Sequence, residues 1–243
     1  VAVADGDSAR LTSRGGLTTD AVRQAVGGPL PAGLGTFLVS GRMDRSPIIT
    51  DQRGSAQHAA HFGDLFAKTT TGVAGGSLEL FAFHSADRLA FAALDDGEGA
   101  ALLHPPPFAA RPNALRWSTG TDAARWRARH GSTAWDVRAW HTRFDADIDW
   151  AQRSRLVSSL EDLGAAATGT WTRGSASLSA GLDAQRYDVR YRVSRQPAAP
   201  SAIAASPDSL ASPLSITGAP LLASAFVETR LRAGTRWSTA LGI

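Results

Sequence analysis

Residues 160–193 read LEDLGAAATGTWTRGSASLSAGLDAQRYDVRYRV, two long runs in which small or apolar side chains alternate with polar ones. Only Arg173, Gly174 and Ser175 join them. In the first run Leu163, Ala165, Ala167, Gly169 and Trp171 share one phase, and Asp162, Thr168, Thr170 and Thr172 share the other. After the joint, Ala176, Leu178, Ala180, Leu182 and Ala184 stand against Ser177, Ser179, Gly181, Asp183 and Gln185. A period of two is that of a strand with unlike faces, and so short a joint makes the pair a hairpin. Each run is far longer than an ordinary strand of about 5–6 residues. Crossing a bilayer takes about 9–11 tilted residues, which 176–184 supply on the apolar face. Leu163, Ala165, Ala167, Trp171, Leu178, Ala180 and Leu182 are therefore expected to face lipid, and Asp162, Thr168, Ser177 and Asp183 a lumen. Beyond Gln185 the phase flips: Arg186, Asp188, Arg190 and Arg192 lie on one face, Tyr187, Val189, Tyr191 and Val193 on the other. An arginine at mid-depth in lipid costs roughly 2–4 kcal/mol, so the flip is expected above the membrane, on a strand that runs past it.

The same unit recurs. Strands are expected near 8–16, 21–29, 35–43, 61–71, 77–92, 113–129, 134–150, 156–172, 175–193, 220–231 and 236–243, about eleven in all. Within 134–150, Trp135, Val137 and Ala139 fall in one phase and Trp140, Phe144, Ala146 and Ile148 in the other, which suggests a bulge. The joints PLPAGL (29–34), GVAGG (72–76), GST (131–133), RGS (173–175) and RAGTR (232–236) are tight. The stretches 44–60, 93–112 and 195–219 are long and rich in Pro, Gly, Ser and Asp. An up-and-down meander with turns at one end and loops at the other has the asymmetry of an outer-membrane barrel, which a soluble sandwich does not require. Trp126, Trp135, Trp171 and Trp237 each lie close to a proposed periplasmic turn, where an aromatic girdle meets the headgroups.

Composition agrees. Of 243 residues 43% are hydrophobic, but the abundant Gly, Ala, Ser and Thr leave no large aliphatic core to fill a soluble domain. No run approaches the ~18 apolar residues of a membrane helix, and no basic start with an apolar stretch marks a signal peptide. Val1 in place of Met is read as the start of a piece of a longer protein. The net charge is +3 and Lys68 is the sole lysine. Arginines interspersed with acids form no basic patch, which excludes a nucleic-acid partner. Without cysteine there are no disulfides or thiolate metal sites.

Catalytic and metal signatures are weak. His58 and His61 in HAAH lack a third ligand, and Asp95, Asp96 and Glu98 in LDDGEG do not follow a calcium-loop order. No nucleophile elbow, phosphate loop or His-Glu-x-x-His run occurs. His141 and Asp145 are expected to be polar residues of a lumen rather than parts of a triad. The chain is read as no enzyme, with no cofactor and no resident metal.

Taken together, VAVADGD, GGPLPAGLGTFLVSGRMD, HFGDLFAKTT, SLELFAFHSADRL, RGSASLSAGLDAQRYDVRY and AFVETRLRAGTRWSTALGI resemble the front half of the barrel of a TonB-dependent outer-membrane receptor. The Gly28-Pro29-Leu30 turn is similar to that family's first periplasmic turn, and AFVETRLRAGTRWSTALGI to a late hairpin. The resemblance implies an all-β, antiparallel, up-and-down transmembrane segment, about half of a barrel of roughly 22 strands. Residues 1–7 would be the tail of a plug domain and 8–243 the N-terminal half of the barrel. It implies a place in the bacterial outer membrane and TonB-energised uptake of a scarce solute: a siderophore, cobalamin, saccharide or metal chelate. Its partners would be outer-membrane lipid, the TonB complex acting through the plug, and that solute. Another outer-membrane barrel such as a porin, or a soluble all-β binding domain, are the alternatives. Ligand contacts are expected in the upper lumen near His141, Arg143, Arg190 and Tyr191, where charged and aromatic residues gather toward the outer ends of two strands. Arginine offers forked donors to anionic or chelating groups, and tyrosine stacks on sugars or catechols.

Overall fold

Alternating β-formers bounded by Gly, Pro and Asn punctuation become one antiparallel sheet in the computed structural model, which describes residues 5–19, 21–44, 48–50, 57–91, 113–150, 154–195, 214–233 and 237–242. Its strands are β1 (Thr12–Leu17), β2 (Ala21–Pro29), β3 (Gly35–Asp44), β4 (Ile48–Thr50), β5 (Gln57–Val73), β6 (Gly76–Phe91), β7 (Asn113–His130), β8 (Thr133–Trp150), β9 (Ser154–Arg173), β10 (Ala176–Arg195), β11 (Leu214–Gly218), β12 (Leu221–Ala233) and β13 (Trp237–Gly242). Sequential strands are neighbours, so the sheet is an up-and-down meander. β4 shares the flank of β5 with β3, and β11 shares that of β10 with β12. The 13 strands thus fill eleven places in a wall whose two ends, β1 and β13, do not pair with each other.

Four details differ from the sequence reading. The first strand is Thr12–Leu17 instead of 8–16. Short strands β4 and β11 lie inside stretches read as loops. β11 and β12 are one interrupted strand: Arg186 faces Leu221 and Val189 faces Gly218 in the same register. Pro220 has no N–H to donate, so the ladder breaks there, although its carbonyl still accepts from the Tyr187 amide at 3.0 Å. The fourth difference is the bulge expected in 134–150, which is absent: β8 pairs without a break from Thr133 to Trp150 with β9, and with β7 on its other side. The change of phase there is a true exchange of the two faces.

The tight turns carry the chemistry their geometry needs. Ala74 (φ 51°) and Gly75 (φ 71°) are both left-handed, as a type I′ hairpin requires. Gly131 and Gly174, each at φ 58°, open two-residue loops with the positive angle at the first position only, the type II′ pattern.

Register then sets the tilt. Gly35 faces Thr71, two residues short of the end of β5 at Val73, and Gly76 faces Ala128, two short of His130. Thr133 faces Trp171, two short of Arg173, and Ala176 faces Leu231, two short of Ala233. Each hairpin therefore steps by two residues, or one per strand. With a rise of ~3.3 Å and a strand spacing of ~4.8 Å, that stagger tilts the strands by about 35°. Transmembrane barrels tilt by roughly 35–45°.

The same register sorts the side chains. One face carries Trp135, Val137 and Ala139 beside Gly169, Ala167 and Ala165, then Ala180, Leu182 and Ala184, then Val227, Ala225 and Ala223. Thr168, Gly181, Ser177 and Asp183 lie on the other face, as expected. On β10 the apolar stretch runs from Ala176 to Ala184 before Arg186. Nine residues at this tilt stand about 24 Å tall, close to the ~25 Å apolar band of a transmembrane barrel. Trp126, Trp135 and Trp171 lie on this face near its base, and the Trp126 indole donates to the Val73 carbonyl at 3.0 Å. Trp237 pairs with Ala233 at the same end.

No second layer covers the belt. Ala166 is the only apolar residue buried among the described residues, while Leu182 is 66% and Leu163 58% exposed. A sandwich would have a dry core between two sheets. The apolar face is the outward, lipid-directed one. The opposite face holds the charge network Lys68, Glu79 and Arg127 and the N-terminal segment, whose Asp5 meets Lys68 at 2.7 Å.

Ala180 sits midway up the belt, four residues above Ala176. In the full-length protein, Ala180→Arg is expected to destabilise assembly by about 2–4 kcal/mol and Leu178→Arg, nearer the interface, by about 0–1 kcal/mol. Inward-facing Ser179→Arg is the tolerated control. Heat-modifiable gel migration reads the outcome; equal tolerance at positions 180 and 179 would reverse the assignment of faces.

Candidate ligand-binding face of the lumen

From base to rim the inward face changes character. Near the turns it is charged: Lys68 is only 8% exposed, clasped by Asp5 and Glu79, and Arg127 also pairs with Glu79. Arg125 pairs with Asp136 across β7 and β8. Higher up, Trp140, Asp162 and Gln185 form a junction across β8, β9 and β10. The Trp140 indole donates to Asp162 Oδ2 at 3.1 Å, and Gln185 Nε2 donates to both Asp162 oxygens at 2.9 Å. Gly164 is the register partner of Trp140, and a Cβ there would collide with the indole, so glycine is what lets the ring lie flat across β9. Arg138 stands 5.6 Å from the Trp140 ring centroid.

At the level of this junction and just below it, Phe66 and Phe83 pair across β5 and β6, and the Phe66 ring lies 6.4 Å from that of Phe81. Higher still the inward face is aromatic again. Further along the sheet, Phe144 faces Leu160, Leu160 faces Val189, and Tyr187 and Tyr191 flank Val189 on the same face. Trp117 and Phe62 complete the patch at the level of Asp87. Apolar surface of this extent, with a few convergent polar groups, is what a ligand groove presents.

The four residues expected to share the upper lumen do not. Strand alternation places Arg190 and Tyr191 on opposite faces, and the unbroken register puts His141, Arg143 and Arg190 on the outward face with Leu163, above the belt. Only Tyr191 looks inward. His141 and Asp145, expected in the lumen, are outward too. These residues build a charge ladder: across β8 and β9 His141 Nε2 lies 2.9 Å from Glu161 and Arg155 pairs with Asp147 at 2.7 Å, while along single strands Arg143 pairs with Asp145 at 2.7 Å and Arg190 with Asp188 at 3.1 Å. Trp140, Asp162, Gln185, Phe144 and Tyr187 were missed as a group. The one signal for them was the phase change in 134–150, which the sequence reading attributed to a bulge. His61, from HAAH, pairs with Asp44 at 3.2 Å. The acidic cluster at 95–98 lies outside the described residues, among which no three His, Asp or Glu side chains gather to hold a metal ion.

No family model matches this sequence, and no curated protein matches it. Among solved structures the chain is similar to the copper transporter OprC, with a TM-score of 0.53 at 16% identity over 91% of this chain. It spans 35% of that chain. At this identity the likeness is one of fold: a long antiparallel wall, matched over nearly all its length.

Above the belt, Asp145 and Asp147 are held below the usual carboxylate range, chiefly by guanidinium hydrogen bonds from Arg143 and Arg155, with burial opposing. Because folding lowers these values, the ladder's contribution is complete above the unfolded value of about 3.9 and is lost as pH falls through the folded values. Hydrogen exchange over 143–159, corrected for intrinsic rates, is expected to accelerate below about pH 4 and stay constant from about pH 5 to 8. Protection that is flat down to about pH 3 would contradict this.

Proposed function

We propose that the chain is part of the wall of an outer-membrane receptor that captures a scarce solute on the aromatic upper lumen and passes it inward with energy from the TonB complex. The observation that carries the reading is the inward face itself, charged at its base and aromatic above the level of the lipid belt. An aqueous porin is lined with polar groups, and a soluble binding domain would bury its apolar face in a dry core. Neither matches a single-layer wall with apolar surface outward below and inward above. The likeness in fold to a transporter supports the same reading.

The solute class follows from the lining. Phe144, Tyr187, Tyr191 and Trp117 offer flat faces for stacking on aromatic chelators or sugar rings. Arg138 at the base of the patch offers forked donors to a chelate's oxygens. With no Cys and a single Met, Met43, which the register places on the outward face, the chain has few soft ligands for bare copper, so a chelate or saccharide fits better than a naked ion. Asp5, anchored on Lys68 and Thr70 at 2.7 and 3.0 Å, lies where the chain would arrive from a plug domain seated in the lumen.

Cells whose only such receptor is the full-length protein would be offered a ferric catecholate, cobalamin, a linear oligosaccharide and free Cu²⁺ in turn. Uptake of one of the first three, dependent on TonB, is expected. Tyr187→Ala with Tyr191→Ala should weaken its binding by roughly 5- to 150-fold, the loss of two aromatic contacts of about 0.5–1.5 kcal/mol each. Barrel assembly should be unchanged. Uptake that persists without TonB, or unaltered affinity in the assembled double variant, would overturn the reading.

A further inference from the structure

Above the belt several outward charges pair with a neighbour, while among the described residues Arg88 and Arg116, like Arg186 and Arg192, form no ion pair. Arg88 and Arg116 are directly opposed across β6 and β7 on the outward face. Like charges opposed in this way are destabilising, so the arrangement needs a partner. The carboxylates nearby are engaged: Asp147, which faces Arg116 in register, is gripped through both oxygens by Arg155 at 2.9 and 2.7 Å. Asp145 is gripped by Arg143 at 2.7 and 3.3 Å, and Asp44 pairs with His61, the neighbour of Arg88 on its other side. No hydrogen bond or ion pair joins Arg88 or Arg116 to another described residue, although the Arg116 charge, after Arg155, helps to hold Asp147 below the usual carboxylate range.

The pair lines an outward groove of ≈ 480 Å³ together with His61, Ser118, Asp145 and Asp147. Its height is telling. Arg88 is twelve residues above Gly76 on β6, about 32 Å up a wall tilted by about 35°, and so about 8 Å above the top of the apolar belt. The headgroup layer is about 5–8 Å deep on each side of the hydrocarbon, and an arginine stem reaches several ångströms down into it. Arg88 and Arg116 are also the first cations met above the belt on the outward positions of β6 and β7.

We propose that the Arg88–Arg116 pair is a binding site for the phosphate of an outer-leaflet lipid headgroup. Two guanidinium forks carried on adjacent strands and lining one groove suit a phosphate's several oxygens, and the Ser118 hydroxyl adds a donor in the same groove. A phosphate between them turns a repulsive pair into an attractive one. The site rests on the outer-membrane reading but not on transport, since it faces away from the lumen.

The test uses the full-length protein in detergent, free of added lipid, with phosphorylated lipid A as probe and its dephosphorylated form and inorganic phosphate as comparisons. Binding of phosphorylated lipid A, read by native mass spectrometry, should fall at least tenfold in Arg88→Gln/Arg116→Gln. Single Arg88→Gln should melt at a higher temperature than the unaltered protein without lipid, because repulsion is relieved, and should lose most of the upward shift that the lipid gives. Unchanged lipid binding in the assembled double variant would overturn the site, as would equal binding of the dephosphorylated form. Full competition by inorganic phosphate at equal concentration would assign the pair to a soluble anion and overturn the lipid. Failure of TonB-dependent uptake would leave these binding results untouched, so the two proposals fail separately.

Discussion

Backbone pairing in unbroken register, with a stagger of one residue per strand, is the constraint from which the other properties follow. The long strands β5 to β10 pair residue for residue from turn to tip without a bulge. Every side chain's face is then fixed by parity from its turn, and its height by its distance along the strand. A one-residue slip anywhere would send an entire strand's apolar set to the wrong side. The tight turns protect against that slip, and glycine at the left-handed positions of Gly75, Gly131 and Gly174 keeps each two-residue loop short.

Given that frame, the solvent on each side writes the pattern. Below the rim the outward side meets lipid and the inward side meets water and the N-terminal segment, so Leu, Ala and Trp face out while Lys68, Glu79 and Arg127 face in. Above the rim the assignments exchange, because an outward arginine costs little once it is out of hydrocarbon. The wall has no core of its own; lipid is its second layer. Where strands must lie close, large rings cover glycines across the ladder: Trp140 over Gly164, Trp135 beside Gly169 and Phe226 beside Gly181. A ring opposite a glycine restores the contact a missing side chain leaves, on both faces of the sheet.

Charge is divided by the same height. The outward ladder above the belt joins β8 to β9 through His141–Glu161 and Arg155–Asp147, and pairs charges along β8 and β10 through Arg143–Asp145 and Arg190–Asp188, where the lipid no longer excludes water. These exposed pairs contribute modestly one by one and matter as a row. The inward network at the base is more enclosed, and through Asp5 it ties the incoming chain to the wall. Between the two lies the Trp140–Asp162–Gln185 junction, where Asp162 links three strands beside the aromatic patch.

Much of this was legible in the sequence, for a physical reason: in a one-layer wall each residue's environment depends on its strand parity and depth, both of which are local. The alternation in 163–172 and 176–185, the tight joints at 173–175 and 131–133, and the change of phase after Gln185 were enough for strands, faces and the all-β meander. What needed the tertiary structure was continuity across neighbours. A phase change within one strand has two causes, a bulge or an exchange of environments, and only the intact pairing of β8 on both sides separates them. For the same reason His141, Arg143 and Arg190 could be read as lumen residues until the register tied them to Leu163. The opposed arginines Arg88 and Arg116, 28 residues apart in the chain, meet only because β6 and β7 pair in one particular register.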